Sequence, residues 1–353
     1  MKWGYFSMIL KGQIINMREK IFLTWNKQVE KLESRNICFR TDEERKNAKF
    51  ALQNNSYYAL VNGYKDFFCI LDESGEDDYQ HELFVDLRDT FDFDKELSAL
   101  VFKYLLRIED SIKAIFSYYI GEQYGHKDTD YLDVKKYRKG NYVAREQKFE
   151  VDILLEKLNR TIDMERDLQI EHYSKIYGYV PPWVLASCLS MDTLMYWYKL
   201  SNRKIKEKTV QTMLYDFEQY PFTHITDIEE NIELFTNLTT LIKEYRNRAA
   251  HGNRIINHSS KHNIKIHLLE LYALNRKEIK GLYLKGVLKN DIFSLFVTIV
   301  IMLSKRETVR NNFIKEIEVL FYRFKIDNPA LYKKVTDKVK LNDNFLEVLR
   351  GII

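Results

Sequence analysis

The sequence predicts an all-α protein, and two features of its 353 residues support this. Only 4 prolines and 12 glycines occur, which is few for an all-β or α/β protein of this length. Apolar residues also recur at helical spacing in several long segments, so that one face of each predicted helix is hydrophobic. With 45% apolar and 30% charged residues, the chain can bury a core and keep a charged surface.

The N-terminal part contains two short predicted helices and one long predicted helix. Residues 24–34 and 42–54 form the short helices, and Thr41 or Asp42 caps the second. Residues 82–119 form one long helix or two in tandem, with Glu109 off the apolar stripe. That stripe consists of Leu97, Val101, Tyr104, Leu105, Ile108, Ile112, Ile115 and Tyr119.

Residues 125–147 interrupt the helical pattern and interleave basic with aromatic side chains. The cations are Lys135, Lys136, Arg138, Lys139 and Arg145, and the aromatic residues are Tyr131, Tyr137 and Tyr142. This composition suits a mobile contact with single-stranded RNA, in which cations bind phosphates and rings stack on bases. A solvated linker is the alternative, and both interpretations stay open. Residues 199–208 form a second basic patch.

The remaining segments return to helix. Residues 150–174 form one predicted helix, another begins at Pro181 and Pro182, and residues 264–353 are expected to form three or four more. Residues 292–303 are almost entirely apolar, but the run is too short to span a bilayer. We therefore expect a buried helix there and no membrane contact.

Two residue types indicate a cytoplasmic protein without a metal or cofactor. Cys38, Cys69 and Cys188 are widely spaced and form no C-x-x-C pair, which favours a reducing compartment and excludes a cysteine zinc motif. His258 and His262, with His267 further on, have no carboxylate or cysteine at ligand spacing beside them, so a metal site is disfavoured.

Charge is unevenly distributed along the chain. Residues 72–94 contain ten acids against Arg88 alone, a net −9, whereas residues 243–290 contain eleven Lys and Arg against three Glu, a net +8. A basic stretch of this kind suits an RNA phosphate path, although solvated lysines account for part of it.

The functional argument centres on residues 234–257. Apolar residues recur there at steps of four, three and four, which predicts a helix with one buried face: Leu234, Leu238, Leu241 and Tyr245. Gly252 is a natural stop, because glycine tolerates the left-handed conformation that ends a helix. Just inside that stop lie Arg246, Asn247, Arg248 and His251.

These side chains suit phosphodiester chemistry on RNA. Histidine titrates near neutrality and can take a proton from a 2′-hydroxyl or give one to a leaving oxygen. Arginine presents a fork of donors to a phosphoryl group that gains charge in the transition state. Asn247 and His251 are four residues apart, so the amide can orient the imidazole. Arg246 and His251 are roughly 140° apart on an ideal helix.

Two explanations of that separation stay open: a distorted last turn, or a second copy of the chain that completes the site. A basic helix end without catalytic function is a further alternative, because the helix dipole favours cations there.

Several strings of this sequence resemble known families. RNRAAH, residues 246–251, resembles the Arg-x4-6-His motif of HEPN ribonucleases, and RNRAAHGNR resembles the corresponding segment of Abi-like proteins, the bacterial abortive-infection family of types D and F. NNSYYALVNGY from Asn54, FDFDKEL from Phe91, LLRIEDSIK from Leu105 and PPWVLASCLSMDTL from Pro181 resemble blocks of that family in the same order. One departure is Gly252, where many relatives carry a second histidine.

The resemblance implies a HEPN-like helical bundle with additional N- and C-terminal helices, acting as a metal-independent endoribonuclease whose site forms in a homodimer. It implies Arg246, His251 and Asn247 as catalytic residues, and RNA as substrate, with a small non-coding RNA as a further partner. Residues expected to bind RNA are Arg248, Arg254, Lys135, Lys136, Arg138 and Lys139. A non-catalytic RNA-binding or toxin–antitoxin-type interaction module is the alternative function.

The resemblance also bears on Glu109 and on domain organisation. The string LLRIEDSIK belongs to the helix opposite the motif helix, so Glu109 is expected to orient Arg246 or Arg248; a surface salt bridge is the alternative. Residues 1–20 are expected to be a leader or extension, either packed as a short helix or the result of a start site chosen upstream of Met17. Residues 21–260 form the Abi-like HEPN domain, and residues 261–353 a C-terminal helical extension.

Overall fold

The structure, a computed structural model, describes residues 21–164, 167–214, 228–270 and 272–352, and the backbone of residues 6–10 and 13–17. Sixteen α-helices dominate these residues, and the strands form three antiparallel two-stranded pairs. The prediction of an all-α fold is therefore confirmed. No helix in the described ranges is both long and apolar enough to cross a membrane.

The chain divides into two compact units, residues 1–92 and residues 93–353. The first unit contains β1 (Phe6–Leu10), β2 (Gln13–Met17), α1 (Trp25–Glu33), α2 (Asp42–Asn54), a π-helix (Tyr58–Asn62), a 3-10 helix (Lys65–Phe67), β3 (Ile70–Leu71), β4 (Asp77–Asp78) and the start of α3 (Phe84–Tyr124). Thr24 and Thr41 cap α1 and α2, because each hydroxyl accepts a backbone N–H three residues on. Both short helices are confirmed.

The predicted leader contains strands, not a helix. β1 and β2 pair antiparallel, with Phe6 opposite Met17 and Leu10 opposite Gln13. The expectation of a short helix is therefore wrong for these residues. Ile14 and Ile15 of β2 are β-branched, and such residues favour extended backbone. The rest of residues 1–20 lies outside the described part of the chain.

The second unit holds the remaining elements. They are the rest of α3, α4 (Asp128–Tyr131), a 3-10 helix (Val134–Lys136), β5 (Tyr142–Val143), β6 (Lys148–Phe149), α5 (Glu150–Asp163), α6 (Leu168–Tyr177), α7 (Pro182–Cys188), α8 (Met191–Leu200), α9 (Arg203–Leu214), α10 (Ile228–Ala250), α11 (Ile266–Glu270), α12 (Arg276–Leu284), α13 (Ile292–Met302), α14 (Glu307–Asp327), α15 (Pro329–Lys338) and α16 (Phe345–Arg350).

The sequence left open whether residues 82–119 form one long helix or two in tandem. The structure shows one continuous helix, α3. Its apolar stripe is buried up to Ile112 and then continues through Phe116 and Ile120. The predicted continuation through Ile115 and Tyr119 is only half-buried. Successive steps of four residues shift the stripe around the helix, because 3.6 residues complete a turn.

Helix boundaries differ from prediction in two other segments. The single helix expected over residues 150–174 is two helices, α5 and α6, and Asp167 caps the second by accepting the N–H of Gln169 at 2.9 Å. The described part of residues 264–353 contains six helices, where three or four were predicted. Two of them, α11 and α16, have five and six residues, too few for a periodic pattern to reveal.

The core of the second unit forms around α13. Every residue of this helix is buried, as its apolar sequence predicts, and it packs against α9, α10, α14 and α16. The buried face of α10 carries Leu234, Leu238, Leu241 and Tyr245, as the spacing predicts. The motif helix is therefore held by its apolar side, and its polar C-terminal turn is left at the surface.

Candidate functional site

The motif helix ends as predicted. Helix α10 stops at Ala250, and Gly252 adopts a left-handed φ of 64°. The N–H of Gly252 donates to the carbonyl of Ala249 at 3.0 Å, and the N–H of Asn253 donates to the carbonyl of Arg248 at 2.9 Å. These bonds satisfy two carbonyls of the last turn and reverse the chain.

The segment after the motif is fixed to α3 by a buried carboxylate. Asp94 is almost fully buried and accepts the backbone N–H groups of Ile255 at 3.2 Å and Ile256 at 2.8 Å. The guanidinium of Arg248 donates to the carbonyl of Arg254 at 2.8 and 3.1 Å. Sequence reasoning did not assign Asp94 a role, although it lies in the string FDFDKEL. The predicted RNA contact Arg248 thus also stabilises the turn.

Arg246 is held by Glu109 across the two helices. Its Nε donates to Glu109 Oε2 at 3.1 Å, while Lys113 Nζ lies 3.0 Å from the other oxygen. Glu109 is only 3% exposed, so this is not a surface salt bridge. The sequence placed Glu109 off the buried stripe of α3, and this expectation is wrong. A carboxylate can remain buried when it pairs with two cations, as Glu109 does. The contact is with Arg246 and not with Arg248; the role in catalysis stays a prediction.

Asn247 and His251 have different surroundings. The Asn247 amide accepts from Arg246 Nη1 at 3.4 Å and lies 3.5 Å from Asp192 on α8. His251 is exposed, and its imidazole has no hydrogen-bond partner among the described residues. The expected bond from Asn247 to His251 is therefore absent in this part of the chain, and the amide positions Arg246 instead.

His251 lies at a shallow cleft of about 420 Å³. Other residues that line the cleft are Thr240, Lys243, Glu244, Asn247, Arg248, Asn253 and His262. Arg246 does not line the cleft. This agrees with the helix geometry, which places Arg246 and His251 on different sides of α10. The motif therefore contributes the imidazole of His251 and the guanidinium of Arg248 to the cleft, but not Arg246. Lys243 and His262 add a second cation and a second imidazole.

Glu244 connects the cleft to the loop that follows the motif. Its carboxylate accepts from Ser260 Oγ at 2.6 Å and contacts His258 Nε2 at 2.7 Å. Burial alone would raise the pKa of Glu244, but the hydrogen bonds from Ser260 and His258 hold it below its ordinary value. Burial, and then the charge of Arg248, lower the pKa of His258. His258 is therefore a neutral partner that stabilises this loop.

Metal ligation finds no support in the histidines that follow the motif. Among the described residues, no three His, Cys, Asp or Glu side chains are grouped so that they could hold a metal ion. His262 instead lines the cleft, and its backbone N–H donates to Ser260 Oγ at 3.1 Å.

The basic and aromatic segment of residues 125–147 is folded. Tyr131 and Tyr137 are buried, and their hydroxyls donate to the carbonyls of Val180 and Tyr131 at 2.7 and 2.6 Å. Stacking of bases on these two rings is therefore excluded, and only Tyr142 is exposed. Lys136 Nζ donates to a backbone carbonyl at 2.6 Å. The idea of a mobile aromatic contact is wrong here, because tertiary packing uses the rings.

The other predicted RNA contacts are spread over the surface. Lys135 and Arg138 are exposed, and Lys139 Nζ lies 3.6 Å above the ring of Phe149. In the second patch, Lys199 pairs with a glutamate at 2.6 Å. The structure brings Arg138 and Lys199 to one cavity beside α10, although they are far apart in sequence.

Comparison with known proteins identifies a family. The family model described as Abi-like protein matches residues 50–257, more than half of the 353-residue chain. The match includes α3 and α10 and hence both sides of the Glu109–Arg246 contact. No curated protein and no solved structure matches the chain. The chain belongs to the Abi-like protein family, and this membership indicates a role in abortive infection, the bacterial defence against phage.

Proposed function

We propose that the protein is a HEPN-type endoribonuclease of an abortive-infection system and that it cleaves RNA without a metal ion. One observation carries the proposal: His251 is exposed at the end of α10 and lines a cleft together with Lys243 and Arg248. An imidazole with free nitrogens beside cations is what proton transfer at a phosphodiester needs. The resemblance of residues 246–251 to the HEPN motif supports the same conclusion.

The chemistry needs only groups of the protein and of the RNA. His251 takes the proton of a 2′-hydroxyl, whose oxygen attacks the adjacent phosphorus. The 5′-oxygen of the next nucleotide leaves and takes a proton from a second, protonated histidine, which the other motif of the proposed dimer supplies. The products are a 2′,3′-cyclic phosphate and a 5′-hydroxyl. Guanidinium groups stabilise the charge that develops on the phosphoryl oxygens. This is why Arg246 must reach the same phosphate as a histidine.

A two-fold dimer solves the geometric problem that one motif leaves. Arg246 is absent from the lining of the cleft that contains His251. An isologous interface presents the same surface twice, so each motif can add its arginine and histidine to those of its partner. We therefore propose a homodimer with one composite site, in which Glu109 positions Arg246 and Asn247 assists it.

RNA is the proposed partner in two senses, as substrate and as a cognate small non-coding RNA. Arg248 belongs to the motif and Arg254 follows it, and the exposed Lys135 and Arg138 add positive charge elsewhere on the surface of the second unit. Phosphate contacts by such residues bind RNA without reading its sequence. A cytoplasmic location fits this partner and the three free cysteines.

The deciding experiment incubates purified protein with labelled RNA in excess EDTA. We expect cleavage that persists with EDTA and is lost in His251→Ala. His267→Ala is the matched control, because His267 is also exposed but does not line the cleft. Cleavage that requires a metal, or that survives in His251→Ala, would refute the mechanism. Binding without cleavage would instead indicate the alternative, a non-catalytic RNA-binding or toxin–antitoxin-type module.

A further inference from the structure

A larger cavity lies next to the motif cleft within the second unit. Its volume is about 1050 Å³, and α5, α8, α9, α10 and the residues around β5 supply its walls. Thr240 and Lys243 of α10 line both the cavity and the motif cleft. The two spaces are therefore neighbours on one side of the motif helix.

Three cations gather on one wall of this cavity: Arg138, Lys199 and Lys206. The N–H of Arg138 donates to the carbonyl of Leu200 at 2.9 Å, and Lys206 Nζ donates to the carbonyl of Lys199 at 2.6 Å. These bonds tie the backbone of Arg138 and the side chain of Lys206 to the C-terminal end of α8. Glu150 compensates Lys199, at 2.6 Å, but no ion pair compensates Arg138 or Lys206 among the described residues.

Lys206 is an unusual lysine because it is only 9% exposed. Burial, and next the charges of Arg138 and Lys199, lower the pKa of Lys206 to about 8. A buried ammonium normally has a carboxylate beside it, since removing a charge from water is costly. The charge of Glu229 opposes the shift without cancelling it, and an anion in the cavity would compensate the ammonium further.

Tyr198 forms part of the wall beside Lys206. It lines the cavity and is 2% exposed, and Lys206 Nζ lies 5.8 Å from the centre of its ring. Its hydroxyl is itself buried, so the ring and not the hydroxyl borders the cavity.

Size and composition narrow the class of ligand. A volume of about 1050 Å³ far exceeds a free phosphate and falls at the upper end of small-molecule sites. Lys157 and Arg160 add positive charge, and Tyr196 adds an aromatic ring. Four carboxylates also line the cavity, and one of them, Glu146, can accept hydrogen bonds from sugar hydroxyls. Phosphate, sugar and base each therefore find suitable groups.

We propose that this cavity binds a nucleoside phosphate, with the phosphate at Arg138, Lys199 and Lys206. The ligand has two sources, a free nucleotide or the phosphorylated end of an RNA strand, and both present the same chemistry. The site does not depend on cleavage by the motif, so nucleotide binding and RNA cleavage can fail independently.

The test is calorimetric titration of the full-length His251→Ala protein, which leaves RNA probes intact. The probes are inorganic phosphate, adenosine 5′-monophosphate, and one eight-nucleotide RNA with either a 5′-phosphate or a 5′-hydroxyl. We expect saturable binding of the monophosphate or of the 5′-phosphorylated RNA. If the monophosphate and the 5′-phosphorylated RNA bind with similar affinity, the ligand is a free nucleotide. If the 5′-phosphorylated RNA binds at least tenfold more tightly than the monophosphate and the 5′-hydroxyl RNA, the ligand is an RNA end.

Variants then locate the site. Arg138→Ala and Lys199→Ala should weaken binding at least tenfold, and Lys204→Ala is the matched control, because Lys204 is an exposed cation of α9 outside the cavity lining. Absence of saturable binding by every probe, or unchanged affinity in both cavity variants, would overturn the proposal.

Discussion

Replacing Glu109 by glutamine tests how the motif arginine is held in place. The buried carboxylate lies 3.1 Å from Arg246 Nε and 3.0 Å from Lys113 Nζ. Glutamine keeps the size of the side chain, but it carries no charge and has one acceptor oxygen in place of two. Both cations therefore lose their opposing charge, and at least one of them loses its hydrogen bond.

The expected loss of stability follows from these two contacts. A hydrogen bond to a charged group contributes about 1.5–3 kcal/mol, so the two contacts set an upper bound of about 6 kcal/mol. Solvent screens part of this energy, since the side chains of Arg246 and Lys113 are 28% and 16% exposed. We expect Glu109→Gln to lower the free energy of unfolding by about 2–4 kcal/mol, less than the stability of most folded domains.

Activity should fall together with stability, because a loosened Arg246 stabilises the transition state less well. A loss of about 2 kcal/mol in the transition state corresponds to roughly 30-fold in rate. Urea unfolding measures the first effect, and single-turnover cleavage of labelled RNA in EDTA measures the second. In a double-mutant cycle, Arg246→Ala should reduce the rate much less when Glu109→Gln is already present.

Asp110→Asn provides the control, because Asp110 is the next residue of α3 and is exposed. We expect this control to change stability by no more than about 0.5 kcal/mol. If Glu109→Gln matches Asp110→Asn in stability and cleaves RNA like the wild type, the contact is energetically marginal and the reasoning fails.

Other contacts in the site give further predictions. Asp94→Asn should lower the free energy of unfolding by about 2–3 kcal/mol in urea, because the backbone donors lose a charged acceptor; wild-type stability would contradict this. Heterodimers of wild-type and Arg246→Ala/His251→Ala subunits should cleave at far less than half the wild-type rate, whereas about half the rate would show that each motif works alone. RNA affinity should fall steeply between low and high salt as counterions are released; a flat profile would mean that the basic patches are only solvated. Folding lowers the pKa of His258 below 6.5, so the unfolded chain binds its proton more readily and stability should decline as the pH falls below 6.5. His258→Asn should flatten that decline. If the stability of this variant depends on pH as that of the wild type does, His258 is not the cause of the decline.

Local sequence patterns were sufficient to predict the helices and the position at which the motif helix ends. The spacing of Leu234, Leu238 and Leu241 predicted the buried face of α10, and Gly252 predicted its stop. Both features depend on residues within a few positions of each other. The same holds for α13, since a helix that is apolar except for Ser294 and Thr298 is expected to be buried on all sides.

The sequence misjudged residues whose surroundings come from distant parts of the chain. Tyr131 and Tyr137 looked available to RNA because they lie among cations, yet both rings are buried against other helices. For Glu109 the sequence left two alternatives open, an orienter of Arg246 or Arg248 and a surface salt bridge, and its burial against Arg246 decided between them. Composition describes what a side chain can do, whereas only packing determines whether solvent or RNA reaches it.

The sequence by itself determined the all-α class, the motif helix and the family to which the chain belongs. The tertiary structure decided which side chains meet: Glu109 and Arg246 are 137 positions apart, and Asp94 is 161 positions from the backbone N–H of Ile255 that it accepts. It also decided that Arg138 and Lys206 line one cavity. Helix periodicity arises from neighbours along the chain, but ion pairs and cavities arise where helices pack, and that arrangement is a property of the whole fold.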